Sequence, residues 1–222
     1  MFPNYPDCPQ SAGRSRMPSA TTECAALAAE TFGGEGLWVC PMRRLADALE
    51  AAWAKGRTPL LVDATDTDGG FSALESFYSY SGHQLLEMKK LVVQVGVTKE
   101  KTVEQALAEA REKLILSMKR GYNLVIMCAN SAPPIKTKFS SPATLPYALL
   151  EDNRAIVDAH GQVPKDVPWL HAVVAETEEL FLVHKDFQVV VVTKFSEEDY
   201  AEFLGDELPL DKMQHIKVIS SS

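Results

Sequence analysis

The chain has 222 residues, of which 46% are hydrophobic and 23% are charged, an ordinary balance for a globular protein. A chain of this length fits one large α/β domain or one domain with appendages. With 30 Asp and Glu residues against 22 Lys and Arg residues, the formal net charge is -8. Because nucleic-acid binding draws its affinity from clustered basic residues, this balance predicts no RNA or DNA partner.

The sequence also lacks the patterns of membrane and secreted proteins. No apolar stretch approaches the ~20 residues that cross a bilayer, and the N-terminus has no apolar core of a secretory signal. The four cysteines, Cys8, Cys24, Cys40 and Cys128, are widely spaced and form no Cys-x-x-Cys pair. They are therefore predicted to be reduced thiols of a cytoplasmic protein that contacts no membrane, and a zinc site is not expected.

The chain divides into three predicted parts. Residues 1–20 hold several prolines and no apolar periodicity, which predicts a flexible N-terminal arm. Residues 21–57 are predicted to form a helical N-terminal extension, because apolar residues recur at helical spacing after Pro41. Residues 58–222 are predicted to form an α/β domain.

Five strands are predicted in that domain, each from an apolar run. The runs cover residues 60–62, 91–95, 124–128, 189–192 and 216–219. Runs that are apolar on both faces are typical of parallel strands covered by helices. Since the runs alternate with helical segments, the fold class is predicted to be α/β, with a three-layer, mostly parallel five-stranded sheet. Its central strands are predicted at residues 60–62, 124–127 and 189–192.

The strongest helix prediction covers residues 103–118. Thr102 and Gln105 form a capping box before a continuous apolar stripe. Further predicted elements are a helix from residue 71 to about Gly82, a surface loop over residues 131–146, a helix over residues 169–181 and a last helix capped by Ser196.

An Asp/Gly-rich turn follows the first predicted strand. Its candidate residues are Asp63, Asp66, Asp68, Gly69 and Gly70. A nucleotide-binding α/β domain would cradle phosphates at this junction, but here the turn carries three carboxylates and the first lysine after it is Lys89. The three carboxylates form a candidate Mg²⁺ site, because carboxylates on a tight turn gather oxygen ligands. The favoured interpretation is a solvated turn in which an Asp caps the following helix.

Two stretches near the C-terminus carry a family resemblance. The segment from His184 to Thr193 resembles the His-Pro-x-Phe-Arg entry into the sensor-1 strand of AAA+ modules of the dynein and midasin type. Leu208-Pro209-Leu210, followed by an apolar run, resembles the return of those modules to their last core strand. The order of parts is thus similar to a P-loop NTPase core, and the resemblance implies a P-loop-like fold.

The residues that carry hydrolysis in that family have no counterpart here. Residues 63–70 offer neither the spacing nor the lysine of a Walker A loop. The strand that should end in Walker B acids runs into Cys128, Ala129 and Asn130, and Phe195 stands at the sensor-1 Asn position. The resemblance therefore implies a degenerate, catalytically inactive nucleotide-fold domain without a cofactor, which acts as a protein-interaction or assembly module.

Two alternatives remain open. Asp66-x-Asp68-Gly69, with Thr193 at the end of a later strand, resembles a haloacid-dehalogenase-like phosphatase. In that family the first Asp is the nucleophile, the second is the acid/base, and Mg²⁺ bridges them to the phosphate. The other alternative is nucleotide binding without hydrolysis at the mouth of the first strand.

Strand order and pocket geometry distinguish these hypotheses. A central first strand flanked by the strands at Val189 and Leu124 would fit the P-loop resemblance. An Asp66 that points into an open pocket, with Thr193 close by, would fit the phosphatase.

Overall fold

The computed structural model describes residues 32, 34–66, 72–162, 167–175 and 181–220. The strands are β1 (Trp38–Pro41), β2 (Thr58–Ala64), β3 (Gln84–Glu87), β4 (Leu124–Ala129), β5 (Val189–Thr193) and β6 (Met213–Ile219). The α-helices are α1 (Leu45–Ala54), α2 (Ala73–Tyr80), α3 (Met88–Gly96), α4 (Val103–Arg120), α5 (Ala148–Glu151), α6 (Asn153–Ala159), α7 (Pro168–Val174) and α8 (Tyr200–Leu204). Short 3-10 turns cover Met42–Arg44 and Leu210–Lys212. The predicted arm at residues 1–20 lies outside the described residues.

The strands form one parallel sheet in the order β1-β6-β2-β5-β4-β3. The predicted α/β class and the three inner strands are therefore confirmed. The predicted number of strands is wrong, because the sheet has six. The additional strand is β1, which lies within the segment predicted as a helical extension and aligns Trp38 with Ile216 of β6.

One of the two neighbours predicted for the first strand is different in the structure. β2 pairs with β5, as predicted, but its second neighbour is β6 and not β4. Leu60 aligns with Val191 on one side and with His215 on the other. The strand is central, yet only one of its two predicted neighbours is correct.

Helices cover both faces of the sheet, which makes the three layers. On the first face, α1 and α2 bury side chains such as Leu49 and Leu74 against Leu61. On the second face, the other helices pack against Leu60 and the other strand residues whose side chains point to that face. Consecutive residues of a strand point to opposite faces, so a run that is apolar throughout serves both cores.

Helix α4 forms as predicted. The Thr102 and Gln105 capping box is present, and Gly121 ends the helix at φ 71°, in the left-handed region that favours glycine. Leu114 and Met118 are fully buried in the second-face core. The packing of this helix on the sheet is confirmed.

The second predicted strand is wrong. Residues 91–95 lie inside α3, where Leu91 is buried and Val92 and Val95 pack against the same core. Positions i, i+1 and i+4 share one face of a helix, which accounts for the apolar run without a strand. The strand of this unit is β3, where Leu85 and Leu86 align with Val125 and Ile126.

Three other predictions need correction. The segment over residues 131–146 holds no helix or strand, but it is not simply a surface loop, because Ile135, Phe139 and Leu145 are buried in the second-face core. The last predicted helix begins at Tyr200 instead of directly after Ser196. The helix predicted over residues 169–181 is wrong at its C-terminal end, because α7 ends at Val174 and Phe181 is not helical, while residues 176–180 lie outside the description.

Candidate functional site

The connections of the sheet reverse direction between β2 and β5. The connection after β2 runs through α2 on the first face, whereas the connection after β5 runs through α8 on the second face. In open α/β sheets, such a switch point leaves a crevice outside the carboxyl ends of the two strands, where ligands bind. Asp63 and Asp66 lie at or just after this end of β2, and Thr193 and Lys194 lie at or just after this end of β5.

Asp63 lies in a buried hydrogen-bond network that joins β2 to α2. Its carboxylate accepts from the backbone N–H of Thr65 at 3.0 Å and from the Thr65 hydroxyl at 2.7 Å, and the hydroxyl of Ser72 donates to the other oxygen. Ser72 accepts from the N–H of Glu75 as the N-cap of α2, and Thr65 accepts from the N–H of Leu74. The cap is therefore Ser72 and not an Asp, and Asp63 orients that cap.

Lys194 supplies positive charge at the switch point. Its Nζ atom lies 2.9 Å from Glu75 and 3.6 Å from Asp66. Partial burial lowers the pKa of Lys194, but the hydrogen bond to Glu75 and the charges of Glu75, Asp66 and Asp63 outweigh that effect, so the pKa is raised above its ordinary value. The Lys194 ammonium is thus paired with carboxylates of the protein itself.

The phosphatase candidates Asp66 and Thr193 have different surroundings. Thr193 is fully buried, and its hydroxyl donates to the carbonyl of Ala129 at 3.3 Å and accepts from the N–H of Phe195 at 3.2 Å. Asp66 is exposed and forms a short antiparallel bridge with Ser72. No hydrogen bond or ion pair joins the two candidates in the described part of the chain. The Thr193 hydroxyl is therefore not directed toward a phosphate beside Asp66.

The candidate metal residues are described only in part. Asp63 and Asp66 occupy the positions given above, whereas Asp68, Gly69 and Gly70 lie outside the described residues. Within the ranges that the structure covers, no three His, Cys, Asp or Glu side chains form a group that could hold a metal ion.

The end of β4 adjoins the switch point and has an unusual backbone. Ala129 has a φ of 53°, in the left-handed region that residues other than glycine seldom adopt. The register with β5 shifts between Met127 and Ala129, and the Ala129 carbonyl accepts from the N–H of Lys194 at 2.8 Å. The preceding Cys128 is fully buried, and burial raises its pKa to about 12. Its thiol is therefore not a nucleophile at neutral pH.

A cleft of about 520 Å³ opens beside Ala129, between α2 and α3. This volume falls within the range of small-ligand sites. Its apolar lining includes Leu85, Val93 and Met127, and Glu75 belongs to the lining as well. Because Glu75 also forms an ion pair with Lys194, the Glu75 side chain connects the cleft with the switch point.

Charges of both signs line the cleft. Lys89 donates to the Asn130 side chain at 2.5 Å, and Lys90 lies 3.4 Å from Glu87. The side-chain oxygen of Gln94 is buried without a hydrogen-bond partner among the described residues. A buried acceptor without a partner at the lining of a cleft is a position where a ligand donor would be stabilised.

Sequence reasoning missed Lys194 and Glu75. The signal for Lys194 was its position directly after a fully apolar strand, which places it at the carboxyl edge of the sheet. Glu75 carried no such signal, since an acid in the first turn of a helix is ordinarily explained by the helix dipole. Phe195, at the position that the resemblance assigns to the sensor-1 Asn, stacks on Phe203 with 4.8 Å between ring centroids.

In comparisons with protein-family models, with curated proteins and with solved structures, nothing matches the chain. No helix within the described residues is both long enough and apolar enough to cross a membrane. The geometry of the carboxyl edge is therefore the basis for a functional proposal.

Proposed function

We propose that the chain is a catalytically inactive nucleotide-fold domain that acts through contacts with a partner protein. The observation that carries this proposal is the pairing of Lys194 with Glu75 and Asp66. A phosphate that entered the switch point would meet the carboxylates of Asp63 and Asp66, while the adjacent ammonium is already neutralised. Like charges at this distance repel, so the edge does not favour a nucleoside triphosphate in a hydrolytic pose.

Exposed apolar side chains beside the cleft support the protein contact. Tyr80 of α2 is 91% exposed, and Val93 and Val97 on or after α3 are 39% and 74% exposed. Val93 lines the cleft directly, and Tyr80 and Val97 are chain neighbours of the lining residues Ser79 and Thr98. A patch of exposed large apolar groups with a polar rim is typical of a protein-binding surface.

The free, buried thiols of Cys40 and Cys128 support a reducing compartment such as the cytoplasm. The acidic net charge of the chain supports a protein partner over a nucleic acid.

Nucleotide binding without hydrolysis is the second candidate, and Lys89 is the observation that favours it. The ammonium of Lys89 lies in the cleft against the neutral amide of Asn130, so its charge is available to a phosphate. The phosphatase hypothesis, with Asp66 and Asp68 as acids and Mg²⁺ as cofactor, has no such support, because the Thr193 hydroxyl is bound to the backbone.

A phosphate-release assay tests the absence of catalysis. We expect ATP, GTP and a generic phosphomonoester, each with Mg²⁺, to release phosphate at the background rate. Turnover that survives repurification and disappears in both Asp66→Asn and Asp68→Asn would contradict the proposal and support the phosphatase.

A paired cross-linking experiment tests the contact surface. We expect a Tyr80→Ser/Val97→Ser variant to lose a cross-linked partner that the wild-type chain retains in extracts of its own cells. Leu182→Ser is the matched control, because Leu182 is 48% exposed and does not line the cleft. Equal loss of the cross-linked partner in Leu182→Ser, or no loss of it in the double variant, would show that the partner binds outside this surface.

A further inference from the structure

A second groove lies on the second face, between residues 140–148 and the start of α7. Its volume is about 450 Å³, and its walls include three prolines and two aromatic rings, namely Pro142, Pro146, Tyr147, Pro168 and Trp169. It shares no lining residue with the cleft at the carboxyl edge. Any ligand of this groove is therefore independent of the function proposed above.

The lining is suited to one class of ligand. Apolar grooves walled by aromatic rings bind proline-rich segments in the polyproline II conformation, which lose little entropy on binding. The indole N–H of Trp169 is buried without an acceptor among the described residues. A polyproline II segment has free backbone carbonyls, which are the acceptors that this N–H lacks.

The groove is flanked by negative charge. Burial, followed by the charges of Glu151, Glu207 and Asp211, raises the pKa of Tyr147 to about 12. Glu151 pairs with Lys212, and Lys136 lies 5.9 Å from the centre of the Tyr147 ring, so the three carboxylates exceed these two ammonium groups by one negative charge. A proline-rich ligand with basic residues beside it would therefore be favoured.

We propose that the groove binds the chain's own N-terminal segment Pro3-x-x-Pro6-x-x-Pro9 as a polyproline II helix. Polyproline II has three residues per turn, so these three prolines share one face. Arg14 and Arg16 follow the segment and match the acidic flank of the groove. The prolines belong to residues 1–31, which lie outside the described part of the chain.

The connecting chain is long enough to reach the groove. The 22 residues between Pro9 and Phe32 extend to roughly 70 Å, whereas a domain of this size has a radius of gyration of roughly 17 Å. A series of contacts connects the start of the described chain with the helices next to the groove. The Phe32 carbonyl accepts from Lys55, and the next residue, Gly56, lies under the side chain of Arg154, which follows the groove-lining helix α5.

The indole N–H signals of the full-length chain provide the first test. Trp38, Trp53 and Trp169 give three resonances, which a Trp169→Phe variant assigns. We expect the Trp169 resonance to move when Pro3, Pro6 and Pro9 are all replaced by Ala, while the other two resonances stay in place. The matched control is Pro18→Ala, which removes a nearby proline that is not in the repeat and should leave all three resonances unchanged.

Competition by a labelled peptide of residues 1–16 provides the second test. A tether of this length gives an effective concentration of roughly 1 mM, so a segment with a Kd of about 0.1 mM would weaken peptide binding about tenfold. We therefore expect the triple proline variant to bind the added peptide about tenfold more tightly than the wild-type chain. Tyr147→Ala, introduced into the triple variant, should abolish binding, whereas Phe203→Ala should not.

Three results would overturn the proposal. The first is an unchanged Trp169 resonance in the triple proline variant. The second is equal peptide affinity of the wild-type chain and that variant. The third is a Trp169 resonance that depends on protein concentration, which would assign the groove to the segment of a second copy.

Discussion

The Nζ atom of Lys194 lies 2.9 Å from a carboxylate oxygen of Glu75, and this contact joins the end of β5 to α2 across the switch point of the sheet. The lysine is 21% exposed and the glutamate 35% exposed, so water and salt screen the pair only in part. The positive charge at the switch point is therefore already paired with a negative charge of the protein itself.

A double-mutant cycle of Lys194→Met and Glu75→Gln measures this pair. We expect a coupling energy of about 1 kcal/mol in urea melts at low salt, and less at high salt. The control cycle uses Lys90 and Glu87, which lie 3.4 Å apart and are 63% and 57% exposed, and should give less than about 0.5 kcal/mol. Equal coupling in both cycles would show that the Lys194 pair has no special role in stability.

Asp63→Asn and Asp66→Asn should have different effects on the free energy of unfolding. Asp63 accepts from Thr65 and Ser72 in a buried network, so we expect Asp63→Asn to cost about 1 to 3 kcal/mol. Asp66 is exposed and lies 3.6 Å from Lys194, so its replacement should cost less than about 1 kcal/mol. Chemical denaturation of both variants checks the order, and the reverse order would contradict the described network.

Leu114→Ala should destabilise the fold strongly, because Leu114 is fully buried in the second-face core. We expect a loss of about 2 to 5 kcal/mol in the free energy of unfolding. Leu116→Ala on the same helix is the control, since Leu116 is 38% exposed, and it should cost less than about 1 kcal/mol. Similar losses in the two variants would mean that α4 does not pack on the sheet through this face.

Stability should fall as the pH drops below the ordinary pKa of histidine. The Nε2 atom of His215 donates to the Leu210 carbonyl at 2.9 Å, and Nδ1 accepts from the Tyr200 hydroxyl at 2.8 Å. Burial lowers the pKa of His215 below its ordinary value of 6.5 in the folded chain, despite the opposing effect of the Leu210 bond. As the pH falls, this histidine therefore takes up a proton in the unfolded chain before it does so in the folded chain. The proton stabilises the unfolded chain, so the free energy of unfolding decreases.

Urea melts between about pH 7.5 and about pH 5 check this expectation. The stability that neutral His215 contributes should be complete above its unfolded pKa and should decline below it. His215→Gln should reduce the pH dependence, whereas His171→Gln, at an exposed position, should leave it unchanged. An identical pH dependence in wild type and His215→Gln would contradict the assignment.

The inner strands were predictable because their runs are apolar on both faces, as Val189–Thr193 shows. β1 was missed, because only three apolar residues precede Pro41 within the strand, and the strand directly precedes a segment with helical periodicity. β3 was missed for a similar reason, since only Leu85 and Leu86 are apolar in Gln84–Glu87. The run at residues 91–95 was misleading, because a buried helix face and a strand look alike over five residues.

The site was predictable only at one of its two strands. Asp63 and Asp66 stand in an evident turn after β2, so the carboxyl edge of that strand was found. Lys194 and Glu75 are far apart in the chain, and their meeting depends on β5 pairing with β2. Strand order is a property of the whole sheet, and periodicity along the sequence does not specify it.

The most direct test of the central claim is a thermal-shift titration of the full-length chain with Mg²⁺, ATP and ADP, alone and combined. A ligand at about 100 times its Kd would raise the free energy of unfolding by about 2.7 kcal/mol, which such a titration resolves. We predict no saturable, Mg²⁺-dependent rise in melting temperature, because Glu75 and Asp66 already pair with Lys194 at the switch point. A saturable rise that needs Mg²⁺ and is lost in Asp66→Asn would contradict the account.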